Sequence, residues 1–377
     1  MPTPPYSDPP PVRAHAATAA AVVALLLTPA AAHAAPANPT TAKAASPLTA
    51  ATKALKAEVG KLPHESRAQR TLRARLTTRA AAVSSQAKSG HLCSAKTASK
   101  GLRLQVKSTK AFSAKQRAAV TGAALQVETR LLSLPGAARC GGVTTAPAAG
   151  GSPVTSVLTS TPQEMKVSVA LPAVQLEPKT GGGKTFTEAT MPGTTNAGAT
   201  GGPSVPTVGQ SFAIPSGATV SVSGQESSSY TLEGVDLYPT QKSAVDAPGA
   251  PVSPHDKAFA DKPFTQDAKA YASGKPFPAV PAAAGATPQG DLRDLQLGQL
   301  NLAGAQYTPK TKTLKVFTKV TVDIHFNGGA GTFGDGQTNS PYNQSFLKLY
   351  GNVLANGPTV LANLAKSLFE HGRITTT

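Results

Sequence analysis

The chain has 377 residues, a formal net charge of +17, two Cys and no Trp. That length can hold two or three domains and buries a core without difficulty. The charge distribution excludes a chain that is cationic throughout. Residues 35–140 carry nineteen Lys/Arg against three acids, whereas residues from 141 onward carry sixteen against fifteen. The positive field therefore belongs to the first module alone.

In chain order, Arg13 and His15 precede the apolar run Ala16–Leu27, and Ala32-His33-Ala34 supplies a small-x-small cleavage site. Residues 1–34 read as a secretory signal peptide. The run is short of the ~20 residues that span a bilayer, so no transmembrane segment is expected after cleavage, and the mature chain is expected to be secreted. Residues 35–140 read as a basic helical module. Ser46-Pro47 is a cap with Pro in the first turn, followed by Leu48, Ala51, Leu55, Val59 and Leu62 at helical spacing up to Pro63. A second helix is expected from about Glu65 to Ala87, closed by Gly90, with Arg67, Arg70, Arg73, Arg75 and Arg79 around it. Ser113-Ala-Lys-Gln116 is a capping-box signature ahead of Val120, Ala124, Val127, Leu131 and Leu134. A bundle of about three helices fits. Its arginines could meet an anionic envelope polymer, but without interleaved aromatics a solvated face is the simpler reading, and no nucleic-acid partner is expected.

Two cysteines in an exported chain are expected to be joined. Cys93 and Cys140 bracket one helical segment, and closing that loop stabilises the fold by roughly 3–4 kcal/mol in the chain-entropy model. Neither has a His partner in a recognisable motif, which argues against a catalytic thiol.

Residues 141–163, rich in Gly, Ala, Pro, Ser and Thr, read as a flexible linker. Residues 164–341 then read as a β domain. Met165, Val167, Val169 and Leu171 alternate strictly, and further short strands are expected at Phe186–Glu188, around Val205, at Ser211–Ile214, Ala218–Ser223 and Tyr230–Leu237, the last bulged at Gly234. Such spacing predicts a sandwich or partly open barrel. The strongest periodic signal is Thr313–Phe326: Leu314, Val316, Val320, Val322, Ile324 and Phe326 fall on one parity. Its expected partner is Leu292–Leu302, where the parity changes between Leu297 and Leu300, as a bulge at Gly298–Gln299 would require. Residues 342–377 read as a helical tail, with Leu361, Leu364 and Leu368 on one amphipathic helix. The expected fold class is thus α+β and multidomain.

Several of these pieces carry a family resemblance. Arg293-Asp294, then Gln306-Tyr307-Thr-Pro309 and Thr311-Lys-Thr-Leu314, follow Phe186-Thr-Glu188, Gly202-Pro203…Pro206 and Tyr271…Lys275-Pro-Phe277-Pro278. With Phe346…Tyr350…Asn356, this order resembles the amino-terminal prosegment of gingipain-family cysteine peptidases over about Glu164–Asn356. The resemblance implies a non-catalytic chain that binds, inhibits or chaperones the catalytic domain of a gingipain-type peptidase, within a longer precursor or as a separate molecule. In the best-known members of this family a basic side chain on a prosegment loop enters the primary specificity pocket. That loop corresponds to about Tyr238–Phe264, with Asp246 at the best-fitting position and Lys242 upstream; the Val245–Pro254 stretch would plug the cleft.

Other chemistry falls away. His255-Asp256 sits in a polar loop without ligand spacing, so no metal or cofactor is expected. Asp335 lacks the alternating oxygen ligands of a cation loop. Lys184 follows three glycines but leads into strand signals and not a helix. Arg293 is expected to pair with a carboxylate.

Overall fold

The structure, a computed structural model, describes residues 40–143, 147–148, 151–242, 263–292, 295–334 and 343–370. The expected signal peptide, residues 1–34, lies outside them. Four helices come first: α1 (Thr40–Gly60), α2 (Arg67–Lys88), α3 (Leu92–Ser108) and α4 (Ala114–Leu132), followed by a 3-10 turn at Pro135–Cys140. Helix α1 starts upstream of the expected Ser46-Pro47 cap. Ser66 and Ser113 begin α2 and α4 with reciprocal boxes to Gln69 and Gln116, which satisfy otherwise orphaned amides. Leu55, Val59, Leu76, Ala80, Val83, Val120, Val127 and Leu131 fill the bundle core. Helix α3 has no counterpart in the sequence reading, because its buried stripe, Ala95, Ser99, Leu102, Arg103 and Val106, is interrupted by a serine and an arginine.

Cys93 and Cys140 form a disulfide with a Cα–Cα distance of 5.3 Å. It runs from the start of α3 to the end of the turn after α4, so it encloses two helices and not one. The basic face is less uniform than its sequence. Arg73 donates to Gly60 O at 2.7 Å and meets His64 Nδ1 at 2.6 Å, and Arg70 donates to Glu65 O at 2.7 Å. These two arginines fasten the α1–α2 turn, while Arg67, Arg75 and Arg79 stay exposed.

Residues 141–163, expected as a linker, contain strand β1 (Val154–Ser160). The principal sheet runs β1, β2 (Glu164–Ala170), β11 (Thr313–Asn327), β10 (Ala305–Thr308), and β7 (Thr219–Glu233) pairs with β11 as well. A second sheet has the order β5 (Thr195–Ala197), β6 (Val205–Ile214), β9 (Leu295–Ala303), β8 (Ala282–Leu292). Strands β3 (Gln175–Gly181) and β4 (Lys184–Thr190) form a separate two-stranded hairpin. The sheets do not close into a barrel, and the class is α+β.

Three expectations about this domain are corrected. Strand β9 does not pair with β11. It lies between β6 and β8, and the short neighbour of β11 is β10. The parity change along β9 is no bulge either, since its register with β6 runs unbroken from Ala303 to Gln296. Both faces of β9 are covered: Leu300 and Leu302 face the main core, whereas Leu295 and Leu297 pack with Phe333, Tyr350, Leu354 and Val360. Gly298 lies opposite Phe212, whose ring occupies the space that a Cβ would need. Finally, Ala218–Ser223 and Tyr230–Leu237 are not two strands, because β7 runs unbroken from Thr219 to Glu233. Gly234 then turns the chain with φ +69°. The tail holds two helices, α6 (Asn343–Val353) and α7 (Gly357–Glu370), joined through Asn356, whose side chain bonds both Ala213 N and Ala213 O at 2.8 Å.

The bundle is seated directly on the β domain. Leu125, Leu132 and Val143 belong to the same apolar cluster as β2, β7 and β11. Beside them Arg103 and Glu128 are 1% and 3% exposed and meet in a two-pronged pair, both bonds 3.1 Å. Burial holds the Glu128 carboxyl above its ordinary range in spite of Arg103. A side chain at Gly234 would meet Arg103 Nη1 at 2.9 Å. Around this centre Lys100 pairs with Glu233 at 2.7 Å, and Lys107 and Lys312 reach Asp236 at 3.7 and 2.5 Å.

A buried pair of this kind is costly to break and cheap to replace whole. Glu128→Ala is expected to lower stability to urea by about 3–5 kcal/mol, because it strands the Arg103 charge. Arg103→Met with Glu128→Leu is expected to fall within about 1–2 kcal/mol of the parent. Equal losses in the two proteins would count against the pairing.

Candidate functional site

The region that the resemblance points to is built around the β3–β4 hairpin. Alternation gives this hairpin two distinct faces. On one, Leu176 lies opposite Ala189 and Pro178 opposite Thr187, and the Pro178 ring lies against α4, 3.3 Å from where a Cβ on Gly122 would stand. On the other, Lys179 lies opposite Phe186 and pairs with Glu188 at 2.6 Å. That second face meets Tyr238 and Phe264. The three rings form a triangle, with centroids 5.9 Å apart for Phe186–Tyr238, 5.5 Å for Phe186–Phe264 and 6.0 Å for Tyr238–Phe264. Lys179 Nζ sits 4.5 Å above Tyr238. At the hairpin turn, Gly182 and Gly183 take φ +53° and +72°. Phe264 lies so close over Gly181 and Gly182 that neither position has room for a Cβ. The glycines ahead of Lys184 thus serve a left-handed turn and an aromatic contact.

The chain leaves this triangle at Tyr238 and returns at Phe264, and both ends are pinned. The Gln241 side-chain amide accepts from Thr265 N and donates to Thr265 O, each at 2.9 Å. Thr240 N donates to Gly202 O, Gly201 N donates to Thr240 O, and Asp267 N donates to Gly201 O, at 2.8, 2.7 and 2.9 Å. Asp267 also caps the short helix α5 (Ala268–Ala272) by accepting from Lys269 N and Ala270 N. From α5, Tyr271 donates its hydroxyl to Leu237 O at 2.6 Å. Tyr307, at the end of the principal sheet, donates to Val235 O at 2.9 Å.

Of the residues singled out in the sequence, Lys242 is exposed directly after Gln241. Asp246, the Val245–Pro254 stretch, His255, Asp256, Arg293, Asp294 and Asp335 lie outside the described residues. The two cysteines are joined to each other on the helical module. Gln241 and Thr265 escape the sequence reading, and Phe264 enters it only as the boundary of the loop, since one-off contacts across a long loop leave no period. The flanking Tyr238-Pro239 and Pro263-Phe264 were the available signals.

The Propeptide_C25 family matches residues 146–345. The chain belongs to this family. The match spans β1 to the start of α6 and falls on a propeptide, not on a peptidase catalytic domain, so this part of the Propeptide_C25 chain has a propeptide-like, non-enzymatic role. Among solved structures, the complex of Porphyromonas gingivalis RgpB pro- and mature domains is similar at 20% identity over 54% of this chain and 96% of that one, with a TM-score of 0.43. The zymogenic gingipain K of Porphyromonas gingivalis is similar at 24% identity over 49% and 97%, with a TM-score of 0.39. No curated protein matches the chain. Among the described residues no helix is long and apolar enough to cross a membrane.

The tyrosines that tie the stem, Tyr271 and Tyr307, are expected to set an alkaline limit on stability. Burial pushes the Tyr307 phenol up to about 12 from 10.0 and raises Tyr271 as well. A phenol that ionises later in the folded state adds stability that is complete below the unfolded value and is lost as pH rises through the folded one. Urea stability is therefore expected to fall between about pH 10 and pH 12. Tyr307→Phe should cost about 1 kcal/mol at neutral pH and show a shallower alkaline fall. An unchanged slope would show that Tyr307 plays no part in it.

Proposed function

We propose that this chain is the prosegment of a gingipain-type cysteine peptidase system: it binds the catalytic domain, covers the cleft and keeps the enzyme latent until it is removed. The family match carries the reading, because it spans the whole β domain. The clamp at Gln241 and Thr265 supports it. A segment that must enter a cleft loses less freedom on binding when its two ends are already fixed, and both ends are held here by side-chain and main-chain bonds. In this reading the segment between Lys242 and Pro263 is the part directed at the cleft, with Lys242 and Asp246 as its charged contacts. A buried Asp246 carboxylate needs a paired charge or donors, so the receiving pocket would be lined with cations. Export through the residue 1–34 signal belongs to the same reading.

The test is inhibition of a purified family C25 catalytic domain by the purified chain, measured with short peptide substrates of basic and of acidic specificity. The parent is expected to inhibit, and Lys242→Ala and Asp246→Ala each to weaken inhibition by at least about tenfold, or ~1.4 kcal/mol. Absence of inhibition by the parent contradicts the function. Inhibition unchanged in both variants contradicts the role of the loop while leaving the function standing.

A further inference from the structure

The propeptide match begins at residue 146, so the disulfide-closed helical module lies outside it. The contacts of that module nonetheless lead to the clamp. Strands β3 and β4 pair with each other, and β4 is bonded to the stem as well, Thr187 N donating to Asp236 O at 2.6 Å and Tyr238 N to Thr187 O at 2.8 Å. A two-stranded hairpin is marginal in water by itself, so its shape depends on the packing of its faces and on this edge contact. One face is covered by α4, through Gly122 on Pro178 and through Leu125 in the cluster that contains Leu176. The other face carries Phe186, and the turn carries Gly181 and Gly182 beneath Phe264. Phe264 immediately precedes Thr265, whose amide closes the clamp on Gln241. Helix, hairpin, ring and clamp thus form one continuous stack.

We infer that the helical module positions the loop anchor: α4 braces the β3–β4 hairpin, and the hairpin in turn supports Phe264 and so keeps the Gln241–Thr265 clamp closed. Gly122 lets α4 lie close on the hairpin: a Cβ there would stand 3.3 Å from Pro178 Cδ and ask it to give by a few tenths of an ångström, and a Leu side chain asks for more room still. Arg103–Glu128 joins α3 to α4, and the Lys100–Glu233 pair ties α3 to the end of β7. The module then acts on latency without touching the peptidase. This inference deepens the proposed function, but its first test needs no peptidase.

The experiment is amide hydrogen exchange, read residue by residue by NMR on the full chain, for the parent, Gly122→Leu, Pro178→Ala and Phe264→Ala. The reporter is the Thr265 amide, with Val167 and Val322 in the principal sheet as internal controls. Thr265 is expected to exchange at least tenfold faster in Gly122→Leu and Phe264→Ala and several-fold faster in Pro178→Ala, with the controls unchanged. If Gly122→Leu loses protection at the controls it has unfolded, and Pro178→Ala, which removes ring atoms without crowding, decides the matter. An unchanged Thr265 rate in a folded Gly122→Leu or Pro178→Ala protein overturns the inference. Inhibition assays on the same variants separate the two claims. A parent that fails to inhibit refutes the latency reading whatever the exchange rates. A parent that inhibits, with folded variants of fast Thr265 exchange inhibiting equally well, refutes the link between brace and function.

Discussion

Strand β11 is the constraint on which the β domain depends. In the principal sheet it is paired along both edges, with β2 on one side and β7 on the other, and β10 continues its end. Val320, Val322 and Ile324 are fully buried, and each such side chain stabilises the fold by about 1.5–3 kcal/mol. The opposite parity is matched across β2 by Thr321 with Ser168 at 3.3 Å and Asp323 with Lys166 at 3.1 Å. A slip of one residue would bury Asp323 and Lys319 and expose the whole apolar row, so the register is strongly fixed. One extra residue on each strand, Thr318 on β11 and Ser223 on β7, interrupts their register while the two stay paired along their full length.

From that frame the candidate site takes its rigidity. The end of β7 and the turn at Gly234 lead to Val235 and Leu237, whose carbonyls receive the hydroxyls of Tyr307 and Tyr271. Those tyrosines tie the stem that carries Tyr238 and Gln241 to the principal sheet and to α5. The far side of the stem rests on the hairpin, and the hairpin rests on α4. A helical module with its own core and a sheet with its own core therefore converge on one pinned pair of strand ends. The position of the clamp is a property of the whole described fold.

How much of this was legible depended on whether one physical period governed each segment. Strand β11 has one buried face and one polar face, so its alternation identified it outright. Strand β9 has both faces buried, at different points along its length, and its leucines mimicked a bulge and a hairpin partner. Helix α3 directs Ser99 and Arg103 inward, toward Ala124 O and Glu128, so its stripe is not apolar and passed unseen. Strand β7 carries a run of serines that looks like a loop until Thr318 and the backbone of β11 are set beside it. The clamp depends on one glutamine and one backbone amide far apart in sequence. Residue types alone do not disclose such a contact, whereas the order of the strand and turn motifs did disclose the family.

The central proposal is that the stem around Gln241 and Thr265, braced by the hairpin, faces a peptidase. Its most direct test is to compare deuterium uptake of the chain alone and mixed with a family C25 catalytic domain. The account predicts new protection concentrated between Tyr238 and Asp267 and at the Gly181–Lys184 turn, with the outer faces of α1 and α2 unchanged. Protection confined to the helical module, with the Tyr238–Asp267 stem exchanging as in the free chain, would contradict it.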